Sequence, residues 1–364
     1  MVEPAVIIGA GPAGLAAAHA LRRRGRRFRL LERGDRPGHS WSRLYDSLTL
    51  HTGKHLSALP GMRFPRSTPL FPSRDDFLDY LAGYVRTFDL DVETGTPVTS
   101  VERDSVWLLH TPNETIAART LIVATGIIPG PFVPAIPGSA GFEGRVLHSI
   151  DYLRPAPFVG RRVLVVGVGN SGGEIGSELA RAGVDTTIAV RSGANVVPRT
   201  IAGVPIQYLS VYVRKLPRGV QERIVAAIGR ISEQRRGPPV LPRPPHSPLD
   251  AIPLIGFNLV DEIRAGRVAV RPGVERFTRT GVRFTDGTEA DFDDVILATG
   301  FRPALGPLAH LVRTDERGFA LRIDRIRSAD HPDLYFIGHN YDSSGGLQNI
   351  VRDARLLSAS ITPA

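Results

Sequence analysis

Ala5-Val6-Ile7-Ile8-Gly9-Ala10-Gly11-Pro12-Ala13-Gly14 is an apolar run broken by three glycines at the spacing G-x-G-x-x-G. Behind it, Leu15 to Arg24 carries its apolar residues on one helical face. Strand, tight turn and helix follow in the order that a dinucleotide-binding βαβ unit needs. Glycine permits the turn, lets backbone N–H groups approach a pyrophosphate and allows close helix-to-strand packing. The design recurs 158 positions further on (Gly9 to Gly167), where Val163 to Val166 leads into Gly167-Val168-Gly169-Asn170-Ser171-Gly172. Two such turns in one chain point to two dinucleotides, and hence to a redox relay.

The residues that end the next strands make the two sites unequal. Phe28 to Leu31 reads as a strand ending in Glu32, 18 residues after Gly14 (32 minus 14). A carboxylate there accepts from both ribose hydroxyls of an adenosine and repels a 2′-phosphate, which suits FAD or NAD. Thr186 to Val190 ends instead in Arg191-Ser192, 19 residues after Gly172 (191 minus 172). A guanidinium beside a hydroxyl is what a 2′-phosphate needs, so NADPH is expected over NADH. Together they predict a flavin enzyme reduced by NADPH. Nicotinamide only transfers a hydride, whereas reduced flavin also reacts with oxygen.

Composition removes several alternatives. At 364 residues and 42% hydrophobic content the chain is long enough for two domains with real cores. With no cysteine, disulfide scaffolds, thiolate metal sites and dithiol redox chemistry are all excluded, and no metal site is expected. The net charge of +9 comes almost wholly from scattered arginines, Lys54 and Lys215 being the only lysines. No basic stripe interleaves with aromatics, so nucleic acid is not an expected partner, although anionic ligands are favoured. No apolar run approaches the roughly 18 residues that span a bilayer, which predicts a cytoplasmic protein without membrane insertion, and a homodimer is compatible with this composition.

Gly34 to Pro72 reads as an ordered loop-rich segment, and Asp75 to Asp89 as a helix with Ser73 as its N-cap. Val98 to Val123 alternates like a hairpin and closes on Ala124-Thr125-Gly126. Arg267 to Leu297 does the same and closes on Ala298-Thr299-Gly300. The expected fold is therefore α/β with two Rossmann-like domains, the NADPH domain (154–285) being inserted into an FAD domain formed by 1–153 and 286–364. Leu334 to Gly338 reads as a buried strand and Gly346 to Ser360 as the last helix. Val197 to Pro253 is rich in Pro and Arg around one amphipathic helix, Arg218 to Gln234. A solvated surface excursion is its first reading; a lid, a substrate channel or a membrane-surface contact are the others.

Phe142-Glu143-Gly144-Arg145-Val146-Leu147-His148-Ser149-Ile150-Asp151-Tyr152 matches F-x-G-x-x-x-H-S-x-x-[YF]. That signature resembles the class B flavoprotein monooxygenases of the flavin-containing monooxygenase family. Gly169 to Glu174, Trp41, Leu50-His51-x-x-Lys54 and Ala298-Thr299-Gly300-Phe301-x-Pro303 extend the likeness over nearly the whole chain, closest to the YUCCA-like branch and its short bacterial relatives. The resemblance implies reduction of FAD by NADPH, a C4a-(hydro)peroxyflavin, and transfer of one atom of O2 to a small organic substrate. Many members have Asn where this chain has His51, which changes the hydrogen-bond inventory near the flavin and adds a titratable group.

The candidate catalytic residues are His51, Lys54 and His148, the last in a conformational role. For the first cofactor the candidates are Gly9, Gly11, Pro12, Ala13, Gly14, Glu32, Arg33, Trp41, His51, Val101, Ala124, Thr125, Gly126 and Gly338. Gly346, Leu347 and Gln348 join them, because a helix N-terminus favours negative charge on a reduced flavin. For the second cofactor they are Gly167, Gly169, Asn170, Ser171, Gly172, Glu174, Arg191, Ser192, Ala298, Thr299 and Gly300. The substrate is expected near His51, Thr200 to Tyr212 and Asn340 to Gly345. A disulfide reductase shares the two-domain plan but needs the missing cysteines. An NADPH oxidase releasing H2O2 and a non-catalytic nucleotide-binding regulator remain as alternatives.

Overall fold

The computed structural model describes residues 1–247, 249–250, 252–340 and 345–360. They form two compact units, one built from 1–130 and 301–364, the other from 131–300. The chain thus leaves its first unit, completes a second, and returns.

In the first unit β1 (Val2–Ile8) runs into α1 (Pro12–Arg22) and then β2 (Arg29–Leu31). Ser73 caps α2 (Arg74–Thr87): its hydroxyl accepts the Asp76 N–H at 3.0 Å, while the Asp76 carboxylate accepts the Ser73 N–H at 2.9 Å. This reciprocal box satisfies two donors that the helix start would otherwise leave orphaned. The meander β3 (Ser100–Arg103), β4 (Trp107–His110) and β5 (Thr115–Val123) follows. β5 is the hub, pairing in parallel with β1 along its length and antiparallel with β4 at its start.

The second unit opens with β6 (Arg145–His148). Next come β7 (Arg162–Val166), α3 (Asn170–Arg181) and β8 (Asp185–Val190), repeating the β1-α1-β2 plan. After α4 (Ile206–Val213), α5 (Arg218–Arg236) and α6 (Asn258–Arg264) the chain adds β9 (Val268–Pro272) to the far edge of β8. A separate antiparallel sheet, β10 (Val274–Phe277), β11 (Gly281–Phe284) and β12 (Glu289–Asp291), precedes β13 (Asp294–Leu297). The main sheet runs β9-β8-β7-β13-β6, every neighbouring pair parallel.

This pairing corrects the expected boundaries of 154 and 285. β13 lies between β7 and β6 with Leu297 opposite both Val166 and His148, so residues 131–153 and 286–300 belong to the inserted unit. Asp294, wholly buried at the start of β13, accepts from the guanidinium groups of Arg145 and Arg161, pinning all three strands at one end.

Back in the first unit, β14 (Leu334–Phe336) pairs with the last three residues of β5, and α7 (Gly346–Ser360) packs against α1. One cluster around Ile7, Leu15, Leu30, Ile122 and Leu357 holds these helices, and a second, around Val6, Trp107, Val123 and Phe336, holds the hairpin. Alternate residues of β1 and β5 serve the two clusters, as a sheet covered on both faces requires.

Candidate functional site

The two glycine turns are local copies of each other. Gly9 has φ +99, and a Cβ there would stand 2.8 Å from the Ala124 carbonyl oxygen; Gly167 has φ +107, with its Cβ 2.6 Å from the Ala298 carbonyl. A Cβ on Gly14 would stand 1.7 Å from the Gly9 oxygen, and one on Gly172 2.1 Å from the Gly167 oxygen. These four positions are fixed by the fold. The middle glycines differ: Gly11 and Gly169 share φ −75 and ψ −174, an extended conformation open to any residue, and a Cβ on either meets nothing within 4 Å. Neither α1 nor α3 has a side-chain cap. Each helix start therefore presents uncapped N–H groups, such as those of Ala13 and Ser171, to open space that an anion can enter.

The residues after β5 and β13 break the symmetry. Thr299 donates its hydroxyl to the Phe132 carbonyl. Thr125 has its Oγ1 buried with no hydrogen-bond partner among the described residues, beside the Gly9 turn. An orphaned buried hydroxyl costs about 1–3 kcal/mol, which a ligand would relieve.

Glu32 is 6% exposed. Its Oε2 accepts the Ala10 N–H and its Oε1 the Gly34 N–H, both at 2.8 Å, so backbone fixes the carboxylate at the mouth of the turn. A carboxylate has about four acceptor positions, and the remaining two are free for ribose hydroxyls. Gly38 donates its N–H to the Ala10 carbonyl at 2.9 Å, folding the next loop over the turn. Arg33 is exposed.

Gly338 has φ +78, and a Cβ there would come 2.9 Å from that of Ala13, so β14 closes directly on the first turn. Its N–H donates to Asp353, a wholly buried acid that also accepts from Arg325 and Asn340 at 2.9 Å. Asp353 was missed in the sequence, although an acid on the apolar face of Leu347, Ile350, Ala354 and Leu357 is a readable signal. The start of α7, with Gly346, Leu347 and Gln348, lies against the His51 loop: a Cβ on Gly345 would come 3.9 Å from Thr52 Cγ2. His51 is half-buried there. Residues 341–344 of the expected substrate loop fall outside the described residues.

In the second unit Arg191 is exposed, with no ion pair among the described residues, and its stem lies over Gly273, whose Cβ would be 3.3 Å away. Ser192 is exposed beside it. Glu174 is half-buried and faces Arg199, whose burial lowers its pKa against the pull of that carboxylate.

Residues 6–234 match the pyridine nucleotide-disulphide oxidoreductase family. The chain is 36% identical over 313 residues to indole-3-pyruvate monooxygenase YUCCA1 of Oryza sativa subsp. japonica, covering 83% of this chain and 77% of the relative. It superposes on the flavin-containing monooxygenase from Stenotrophomonas maltophilia with a TM-score of 0.78 and 28% identity, covering 99% of this chain and 98% of the other. The chain belongs to the flavin monooxygenases of this family. Cyclohexanone monooxygenase in its open crystal form, at 20% identity and a TM-score of 0.71, shares the fold. Without cysteine, this flavin monooxygenase has no redox-active dithiol of its own with which to reduce a disulfide, whatever the wider family's name.

Several expected site residues have other work in this flavin monooxygenase. Lys54 Nζ donates to the carbonyls of Pro65, Arg66 and Thr68, at 3.3, 3.0 and 2.5 Å. All three of its donors are spent on that loop, so it positions the chain there. His148 Nδ1 accepts the Ile150 N–H at 3.2 Å, which leaves Nε2 to donate to the Gly300 carbonyl at 3.0 Å. Burial lowers its pKa against the pull of the Gly300 carbonyl and of Asp151, holding the ring neutral as a clamp between the ends of β6 and β13. Asn170 accepts the Ile255 N–H at 2.9 Å and donates to the Pro253 carbonyl, so its amide staples a loop. Val101 is wholly buried in the hairpin core, and Trp41 stands edge-on to Phe77 at 4.7 Å as part of the core against α2.

Proposed function

We propose that the protein is an NADPH-dependent FAD monooxygenase that inserts one atom of O2 into a small organic substrate. The observation that carries the reading is the pairing of an acid-marked and an arginine-marked turn of one geometry, Glu32 with Gly9 to Gly14 and Arg191 with Gly167 to Gly172. In the first unit Ala13 and Gly14 N–H groups hold the FAD pyrophosphate, Glu32 accepts from its ribose, and Thr125 supplies a hydroxyl. In the second, Ser171 and Gly172 N–H groups hold the NADPH pyrophosphate, and Arg191 with Ser192 takes the 2′-phosphate. The bound flavin supplies hydride acceptance and oxygen activation. The protein's part is to bind, to orient and to exclude water, with the α7 start favouring negative charge on the reduced ring system.

The likeness to indole-3-pyruvate monooxygenases makes an aromatic 2-oxo acid the first substrate to test. N- or S-oxygenation and Baeyer-Villiger insertion are the other reactions of this chemistry. Purified protein should be yellow and bleach with NADPH under argon; colourless protein that takes up no FAD contradicts the reading. NADPH oxidation matched by H2O2 with every substrate tried would make it an oxidase.

A further inference from the structure

We propose that residues 204–236 dock the protein onto the surface of a bilayer containing anionic lipid. This inference stands apart from the cofactor sites, since it uses none of their residues. Neither α4 nor α5 has a single buried residue. Val204, Leu209, Tyr212, Leu216, Val220 and Ile231 are all exposed large apolar side chains, Tyr212 at 70% and Ile231 at 51%. The same segment carries seven basic and two acidic residues, a net charge of +5 (7 minus 2).

The arrangement on α5 names the occupant. At about 100° per residue, Val220, Ile224, Ala227, Ile228 and Ile231 line one stripe. Arg223 and Arg230 flank one edge of it, while Arg218 and Arg236, about 80° past the other, pair with Asp250 at 2.8 Å and Asp261 at 2.9 Å. Glu222 and Glu233 fall on the opposite face, where they pair with Arg218 at 2.9 Å and Arg243 at 2.5 Å. An apolar stripe edged by arginines, with its acids turned away, is the pattern of a helix lying in a membrane interface. At the end of α4 the Lys215 ammonium stands 5.9 Å from the Tyr212 ring centroid, an apolar body and a cationic tip that suit the headgroup layer. A second copy of the chain fits worse, because it would set +5 against +5. No described helix is long and apolar enough to cross a membrane, so the contact lies on the surface.

The test is co-sedimentation of the full-length protein with vesicles of phosphatidylcholine, with and without phosphatidylglycerol, at low and high salt. Binding is expected to the phosphatidylglycerol vesicles and to weaken with salt. Each basic residue near such a surface contributes about 1 kcal/mol, so Arg223→Gln with Arg230→Gln should weaken binding about 30-fold. Tyr212→Ser with Ile231→Ser should weaken it on every vesicle type, with circular dichroism and flavin content unchanged. Wild-type protein that stays in the supernatant with anionic vesicles overturns the proposal without need of any variant. So does binding that both double variants leave untouched. A concentration-dependent dimer dispersed by Ile231→Ser, without vesicle binding, would give this face to a second copy, and RNA binding without vesicle binding would give it to nucleic acid.

Discussion

Replacing Gly11 by Ala separates what the first turn does for the fold from what it does for a ligand. The backbone there is extended (φ −75, ψ −174), and the added Cβ meets no protein atom within 4 Å. Ala as an N-cap costs from a few tenths to about 1 kcal/mol relative to Gly, and lost freedom in the unfolded chain offsets about 0.4–1 kcal/mol of that. The apo-protein should therefore keep its stability to within about 1 kcal/mol. The same methyl enters the open space at the start of α1 that the proposed pyrophosphate site uses. Losing one hydrogen bond to a charged phosphate costs about 1.5–3 kcal/mol, so the FAD dissociation constant should rise roughly 10- to 150-fold. Gly14→Ala is the contrast, because its Cβ would lie 1.7 Å from the Gly9 carbonyl oxygen and force turn and helix apart. It should destabilise even the apo-protein, by about 1–3 kcal/mol or more. Urea unfolding of the apo-proteins and titration with FAD, followed by quenching of flavin fluorescence, read the two effects separately. Gly11→Ala with wild-type FAD affinity, or with the same instability as Gly14→Ala, refutes the reasoning.

Arg191→Ala should raise the dissociation constant for NADPH roughly 10- to 150-fold, the scale of one charged hydrogen bond, and change that for NADH little; equal losses would remove the 2′-phosphate argument. Burial pushes the His339 pKa down to about 3 and lowers those of His148 and His19. The unfolded chain binds these protons more readily than the native protein, so stability should fall as pH drops below 6.5, His339 alone contributing about 1.4 kcal/mol per unit towards pH 3. Both ring nitrogens of His339 lack partners among the described residues and its ring sits edge-on to Phe319, so His339→Phe should flatten that slope and raise the urea midpoint at pH 5.5. Asp353→Ala strips partners from Arg325, Asn340 and the Gly338 N–H, and should cost about 3–5 kcal/mol in urea unfolding.

The parts of this fold that sequence reveals are those set by local chemistry. Gly9, Gly14, Gly167 and Gly172 are legible because no other residue fits their backbones, and Ser73 because its cap partner is three residues away. What depends on distant partners is hidden. β6 is four residues long with Val146 exposed, and nothing in Arg145 to His148 says that β13 will claim it. Lys54 carries no sign of the three carbonyls, 11 to 14 residues on, that take its donors. Asn170 sits inside a cofactor fingerprint yet spends its amide on Pro253 and Ile255. His148 reads in the sequence as conformational, but the tautomer that fixes its role comes from two backbone groups, one of them 152 residues away.

The central claim is that oxygen is divided between substrate and water. The direct measurement is a single incubation of the yellow protein with NADPH, an aromatic 2-oxo acid and ¹⁸O2, read by mass spectrometry of the product. Oxidative decarboxylation predicts a carboxylic acid one carbon shorter, carrying one ¹⁸O, with CO2, NADP⁺ and water formed in equal amounts. A product without label, or NADPH consumed solely to H2O2 with this and every other oxygen acceptor, would contradict it.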